Sequence, residues 1–290
     1  MVRFTAKLNS LKHEDFQKLI SCLEKIGSTA MLHLCPNDDS MLKVVLRADV
    51  NGTCEVWARL HTGFWFDDYD VESLNGGNVY LELKLADLSR ALRSTVKAES
   101  VTLKLTKNGG KNSLQLSISK APIRIKQQVP IELLGATAGA QVVEPSVERP
   151  MCLVFLPDIG SLHAVVDRLR VIDESLHVST DTRGIVGELA LRATNETAEL
   201  SSFYENLRTV DIADASQASA AADAPSSRME VAVDGKQFAK LLSCYQLAPR
   251  HAICGLLDNC LLLQLIAGGV DQYKRDELTL TAYAPTLMLN

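Results

Sequence analysis

Four stretches of the chain carry one order of hydrophobic and polar positions: an alternating run, a polar break, an amphipathic run of helical spacing, and a second alternating run. They read MVRFTAKLNSLKHEDFQKLISCLEKI-GSTAMLHL, VYLELKLADLSRALRSTV-KAESVTLKL, MCLVFLPDIGSLHAVVDRLRVI-DESLHVS and MEVAVDGKQFAKLLSCYQLA-PRHAICGLL. Helices are expected to begin near Leu11, Ala86, Asp158 and Lys236, with successive starts 75, 72 and 78 residues apart. So even a period predicts two similar domains, each built from two similar halves.

In the first copy Val2, Phe4, Ala6 and Leu8 alternate as in a strand with one covered face. Asn9 or Ser10 suits the cap of the next helix, which places Phe16, Leu19, Ile20, Leu23 and Ile26 on one side and stops at Gly27. Strands are expected at TAMLHLC, MLKVVLRA and CEVWARL, broken by PNDD and NG. The second copy predicts a helix over about 86–97 with Leu88, Leu92 and Val96 inward, a hairpin around NGGK, and a strand at about 122–133. The fourth helix is expected to turn Phe238, Leu241, Leu242 and Tyr245 inward and Lys236, Lys240 and Ser243 outward. Strands outnumber helices by about four to one, and their alternation implies antiparallel sheets covered on one face, an α+β architecture.

This organisation sets the domains at 1–134 and 151–290. Residues 135–150, rich in Gly, Ala and Pro and without amphipathic period, form the linker. Residues 208–228 are small, polar and low in complexity, and predict a mobile loop. At 290 residues, 47% hydrophobic and 22% charged, the chain can build a core in each domain; with 5% aromatics, aliphatic side chains must fill it. The longest apolar runs are too short to span a bilayer, and the N-terminus lacks the apolar block of a signal peptide, so no membrane role is expected. Seven cysteines without close pairing read as reduced, buried thiols of an intracellular protein.

A net charge of −5 argues against a generally basic nucleic-acid binder, but the charge is unevenly spread. The four helical segments hold eleven cations and seven carboxylates, a net +4, which leaves −9 for the remainder. The cations are Lys12, Lys18 and Lys25 on the first helix, Arg90, Arg93 and Lys97 on the second, Arg168 and Arg170 on the third, and Lys236 and Lys240 on the fourth, with Arg250 just beyond. Charge on a solvated helix face is ordinary. If four helices share one side of a curved sheet, however, their stripes add up to a surface for phosphates, read without sequence specificity.

No catalytic constellation stands out. Asp67-Asp68-Tyr69-Asp70 lacks the Gly and closing Glu of a calcium loop and reads as an exposed turn. The six histidines show no metal-ligand spacing, and the paired glycines form neither a P-loop nor a dinucleotide fingerprint. Neither a metal nor a cofactor is expected. Phe64-Trp65-Phe66 either packs under a loop or offers a partner surface.

The four-fold unit resembles the DNA sliding clamps, the PCNA-like family, and within it the Hus subunits of the nine-one-one DNA-damage checkpoint clamp. Residues 56–106, above all VYLEL followed by LSRAL, carry the likeness most clearly; MVRFTAKL and TLTAYAP extend it to both ends. The resemblance implies a nuclear, non-enzymatic subunit of a heterotrimeric ring around double-stranded DNA, with helices lining the hole. Its implied partners are two paralogous Rad-type subunits, a clamp loader and repair enzymes. By position, PIRIKQQVP with Ile123, Ile125 and Val129 is one expected intersubunit edge, and TAELSSFYE with Leu200 and Phe203 the other. The linker corresponds to the loop near which clamps dock client peptides, and here it is short of aromatic residues.

Two other readings compete. A replication-type homotrimer needs the two edges of this chain to suit each other, and Arg124 and Lys126 against Glu199 and Glu205 give some complementarity. An enzyme needs a polar pocket with a convergent acid–base pair, which the sequence does not display.

Overall fold

Phe4, Ala6 and Leu8 are buried along the first strand while Arg3 and Lys7 stay exposed, so alternation in the sequence becomes a sheet with one covered face. The computed structural model describes residues 2–36, 41–48, 53–73, 77–148, 150, 152–183, 186–210, 227–268 and 276–287. Contacts divide the chain into two units. One comprises Met1–Arg47, Val56–Pro145 and Ala267–Leu280; the other comprises Ala48–Glu55, Ser146–Ile266 and Thr281–Asn290.

The first unit runs β1 (Arg3–Leu8), α1 (His13–Ile26), β2 (Thr29–Leu34), β3 (Met41–Leu46), β4 (Glu55–His61), α2 (Thr62–Trp65) and β5 (Phe66–Glu72). It continues through β6 (Val79–Lys84), α3 (Leu85–Leu92), β7 (Ser100–Asn108), β8 (Lys111–Lys120), β9 (Ile123–Leu134) and α4 (Ala136–Ala140). One antiparallel sheet has the order β5-β1-β7-β8-β9. β9 then crosses into a second, of order β9-β6-β2-β3-β4. The second unit holds β10 (Leu153–Phe155), α5 (Ile159–Leu169), β11 (Ser175–Arg183), β12 (Val186–Thr194), β13 (Glu199–Arg208), β14 (Ser227–Asp234), α6 (Gly235–Leu242), β15 (His251–Leu256), β16 (Cys260–Ala267) and β17 (Leu278–Leu287), the last residue of β16 and the first three of β17 falling in the first unit. Its strands order as β10-β15-β16 and β17-β14-β11-β12-β13, the second repeating the order of the β9-to-β4 sheet. The sheets are antiparallel and the helices few, so the α+β class read from the pattern holds.

Helices cover the sheets in pairs, α1 beside α3 and α5 beside α6. From α1, Phe16, Leu19, Ile20, Leu23 and Ile26 enter the core; Leu88 and Leu92 do so from α3, Leu162, Val166 and Leu169 from α5, and Phe238, Leu241 and Leu242 from α6. Side-chain caps set the starts of α5 and α6 and of the 3₁₀ turn Ser10–Lys12 that leads into α1. Asn9 accepts from the Leu11 N–H at 3.0 Å, Asp158 from Ser161 at 2.8 Å and Asp234 from Gln237 at 2.9 Å. Gly27 ends α1 in extended backbone, where a Cβ would stand 2.9 Å from Leu46 Cδ2, so close packing rather than handedness selects glycine.

Several expectations are corrected. The acidic residues after Phe66 form β5, not a turn. Val71, Tyr69 and Phe66 pair with Phe4, Ala6 and Leu8, and a bulge absorbs the extra residue between Tyr69 and Phe66. Trp65 and Phe66 are buried, so the aromatic cluster packs inward. The segment after β9 opens with α4, in which a Cβ on Gly139 would strike the Tyr80 ring at 2.2 Å; further on, Glu144 pairs with Arg59 of β4. Of the loop expected over 208–228, residues 211–226 lie outside the described residues, as do the NG turn and, apart from Pro36, the PNDD turn.

Asp158 yields a pH test. The Ser161 hydroxyl and N–H hold its carboxyl below the ordinary 3.8. A lowered folded-state value adds stability that is present above the unfolded value and lost as pH falls through the folded one. The wild type is expected to exceed Asp158→Ala in urea midpoint at pH 7, with the gap narrowing below about pH 4. A gap constant down to pH 3 would contradict this assignment.

Candidate nucleic-acid-facing surface and sheet edges

Because each helix buries one apolar face, its cations are left to the opposite one. On α1, Lys18 and Lys25 are exposed, with Lys18 Nζ 3.7 Å from Asp15. On α3, the Arg90 side chain is 75% exposed and leans 3.4 Å from Asp87; Arg93 and Lys97 follow, both exposed. On α5, Arg168 is exposed, and Arg170 just beyond it bonds Asp167 at 2.7 Å. On α6, Lys236 is exposed and Lys240 half-buried. The α1 and α3 cations therefore belong to one packed helix pair, and those of α5 and α6 to another.

Lys12 departs from this set. Its Nζ lies 2.5 Å from Glu277, 3.6 Å from Asp15 and 5.7 Å from the centre of the Trp65 ring, and its side chain is only 23% exposed. Trp65 Nε1 in turn donates to the Glu277 carbonyl at 2.8 Å. Lys12 thus clips a segment 265 positions away onto the start of α1, a structural ion pair in place of a free cation.

The ends of α3 and α6 share a second correction. Each α-helix passes into a 3₁₀ turn, Arg93–Thr95 and Ser243–Leu247 respectively. Three residues per turn instead of 3.6 slip the phase of the apolar face. Val96 is 37% and Tyr245 40% exposed, although helical spacing puts both in the core, while Thr95 and Ser243 are buried in their place. The Tyr245 ring lies 5.5 Å from His163. Lys97 adopts φ 59°, so it stands in a left-handed bend beyond the helix.

Of the two expected edges, β9 over residues 123–130 pairs with β8, and β13 pairs with β12; each ends its sheet among the described residues. Ile123, Leu200 and Phe203 are 60%, 46% and 72% exposed, and Ile125 is half-buried. Val129 is not available to a neighbour: alternation turns it onto the helix side, where it is 1% exposed. Leu200 sits opposite buried Ala193 and Phe203 opposite half-buried Ala190, so the two apolar residues leave opposite faces of β13.

All seven cysteines are buried, and none forms a disulfide. Burial pushes the Cys54 and Cys254 thiols up to about 12, which keeps both protonated and unreactive at neutral pH. Among the described residues no group of three or more His, Cys, Asp or Glu side chains could hold a metal ion, and no helix is long and apolar enough to cross a membrane. A cavity of about 430 Å³ in the second unit touches Asp158, Tyr245 and Arg250, but the Asp158 carboxylate is committed to Ser161.

Removing three exposed cations from α3 and its end tests the helical face. Arg90→Ala/Arg93→Ala/Lys97→Ala is expected to weaken duplex DNA binding and lower the log–log salt slope by up to about 3, with folding and assembly intact. Fluorescence anisotropy across a salt series measures both; loss of assembly instead would make this stripe structural.

A model of the family described as "Hus1-like protein" matches residues 2–288. "Checkpoint protein hus1 homolog" of Dictyostelium discoideum is 25% identical over 293 residues and covers 100% of both chains. "Checkpoint protein hus1" of Schizosaccharomyces pombe is 25% identical over 295 residues, covering 98% of this chain and 99% of its own. Among solved structures, the proliferating cellular nuclear antigen of Entamoeba histolytica superposes with a TM-score of 0.70 at 14% identity, covering 99% of this chain and 100% of that one.

Proposed function

The chain belongs to the Hus1-like protein family, and from that premise we propose that it joins two paralogous Rad-type subunits in a heterotrimeric ring that encloses duplex DNA at damage sites. Membership over nearly the whole chain, with a clamp fold beneath it, makes it a checkpoint clamp subunit. The observation that carries the mechanism is the separation of two surfaces by one packing rule. Each unit's helices bury their apolar faces and leave Lys18, Lys25, Arg90, Arg93, Lys97, Arg168, Arg170, Lys236 and Lys240 outside the core. The sheets end in β9 and β13, which carry exposed Ile123, Leu200 and Phe203.

In this reading the cations meet phosphates as flexible point charges, which holds the duplex without selecting a sequence and permits sliding. β9 and β13 each pair with a neighbour's edge strand, so that closing the ring satisfies main-chain groups that an open edge leaves to water. Arg124 and Lys126 on one edge and Glu199 and Glu205 on the other bias the partner choice by charge. The subunit is a scaffold rather than an enzyme. A loader places the ring, repair enzymes and checkpoint signalling use it as a platform, and the nucleus is its place of work.

The test is the solution mass of the purified chain, alone and co-expressed with the two paralogous subunits, by light scattering. A monomer that becomes a one-to-one-to-one trimer is the expected outcome. A homotrimer from the chain alone would overturn the heterotrimeric reading in favour of a replication-type ring, and a monomer in both cases would leave no ring to explain.

A further inference from the structure

The helices do not hold all the exposed positive charge of the first unit. From Ser100 to Ile131 the chain has six cations (Lys104, Lys107, Lys111, Lys120, Arg124 and Lys126) with no carboxylate, aromatic residue or methionine, in a protein of net charge −5. This segment is β7, β8 and the first part of β9. Val101, Leu103, Leu114, Leu116, Ile118 and Val129 turn to the helix side and are buried; there Gln127 Nε2 reaches Ser94 Oγ, just past α3, at 2.6 Å. Thr102, Ser117 and Lys126 therefore stand in one row on the opposite face, and Lys104, Gln115 and Gln128 in the next.

All six cations are exposed, and none is ion-paired among the described residues; Lys120 donates to the Val96 carbonyl at 3.1 Å. Four of them share the outward face: referred to β8 by register, they follow one another at Lys111, Gln115 (Lys104), Ser117 (Lys126) and Ser119 (Arg124), whereas Lys107 and Lys120 have the parity of the buried row. At the rise of an antiparallel strand these four form a track about 27 Å long. The carboxylates flanking the segment, Glu99 and Glu132, lie beyond its ends. Those of the same sheet lie on β5 beyond β1, where Asp68 and Glu72 face Lys7 and Arg3.

We propose that this sheet face is a second contact surface for duplex nucleic acid, which it grips by the sugar–phosphate backbone independently of the helical cations. Lysines separated by Ser, Thr and Gln donors are the side chains that reach phosphate oxygens. Base stacking on a single strand needs aromatic platforms, and this face has none. Protein interfaces are enriched in aromatics, Met and Arg and depleted in Lys and Ser, the reverse of this composition. Pairing along the β9 edge leaves the face open, because side chains stand perpendicular to the plane in which strands hydrogen-bond.

The test compares the full-length chain with Lys104→Gln/Lys111→Gln, two positions of this face away from the β9 edge, for binding to a labelled random-sequence duplex across a salt series. The variant is expected to keep its thermal midpoint, bind more weakly and lose up to about 2 from the log–log salt slope. Ser117→Glu, which adds a carboxylate to the face without removing a cation, is expected to weaken binding as well. In a background of Arg90→Ala/Arg93→Ala/Lys97→Ala the Gln substitutions are expected to weaken binding and lower the slope by the same further amount, which separates this face from the α3 stripe. Unchanged affinity and slope in both the Gln and the Ser117→Glu variants would overturn the proposal. So would weakened binding to a poly-glutamate peptide with duplex binding unaltered.

Discussion

Everything in this molecule depends on sheets that are covered on one face by paired helices. Burying an aliphatic side chain contributes about 1.5–3 kcal/mol. Leu19, Leu23, Leu88 and Leu92 in the first unit, and Leu162, Val166, Leu241 and Leu242 in the second, are almost fully buried. That burial fixes the rotation of each helix about its axis. Once the apolar stripe is inward, Lys25, Arg93, Arg168 and Lys236 have only the solvent side left. The same constraint sets the sheets: their inward residues are spent on the core, so only the end strands and the outward face remain for partners.

Much of this was legible in the sequence because it is local. Period-two and period-3.6 patterns located strands and helices, Asn9 announced the cap that leads into α1, and the even spacing of the copies pointed to a repeated unit. The misreadings came from places where periodicity changes or partners are remote. A switch to 3₁₀ geometry moved Val96 and Tyr245 outward and drew Thr95 and Ser243 in. A bulge let an Asp-rich segment, poor in strand propensity, pair with β1 through Phe66, Tyr69 and Val71. Nothing near Lys12 announces Glu277. Val129 was legible from alternation alone, since it shares the parity of buried core positions rather than that of the outward Arg124 and Lys126.

Fold and family then divide the explanation between them. The solved clamp at 14% identity establishes the architecture, and the Hus1-like match over residues 2–288 places the chain among checkpoint proteins. Neither says which side chains act. The proposed assignment rests on burial and charge: cations outside the helical core, end strands with exposed apolar residues, buried thiols, and a carboxylate-free track on one sheet face. A body that is acidic in sum can hold a polyanion where local charge is reversed, since screening over about 10 Å limits each phosphate to nearby groups.

The central claim is that the helices face the duplex. The most direct measurement is photo-crosslinking from single reactive residues placed at Lys25, Arg93, Arg168 and Lys236 in the assembled complex loaded on a closed circular duplex, which a linear fragment cannot mimic. The account predicts DNA adducts from all four positions. Adducts from none of them, in a complex that remains topologically linked to the circle, would contradict it.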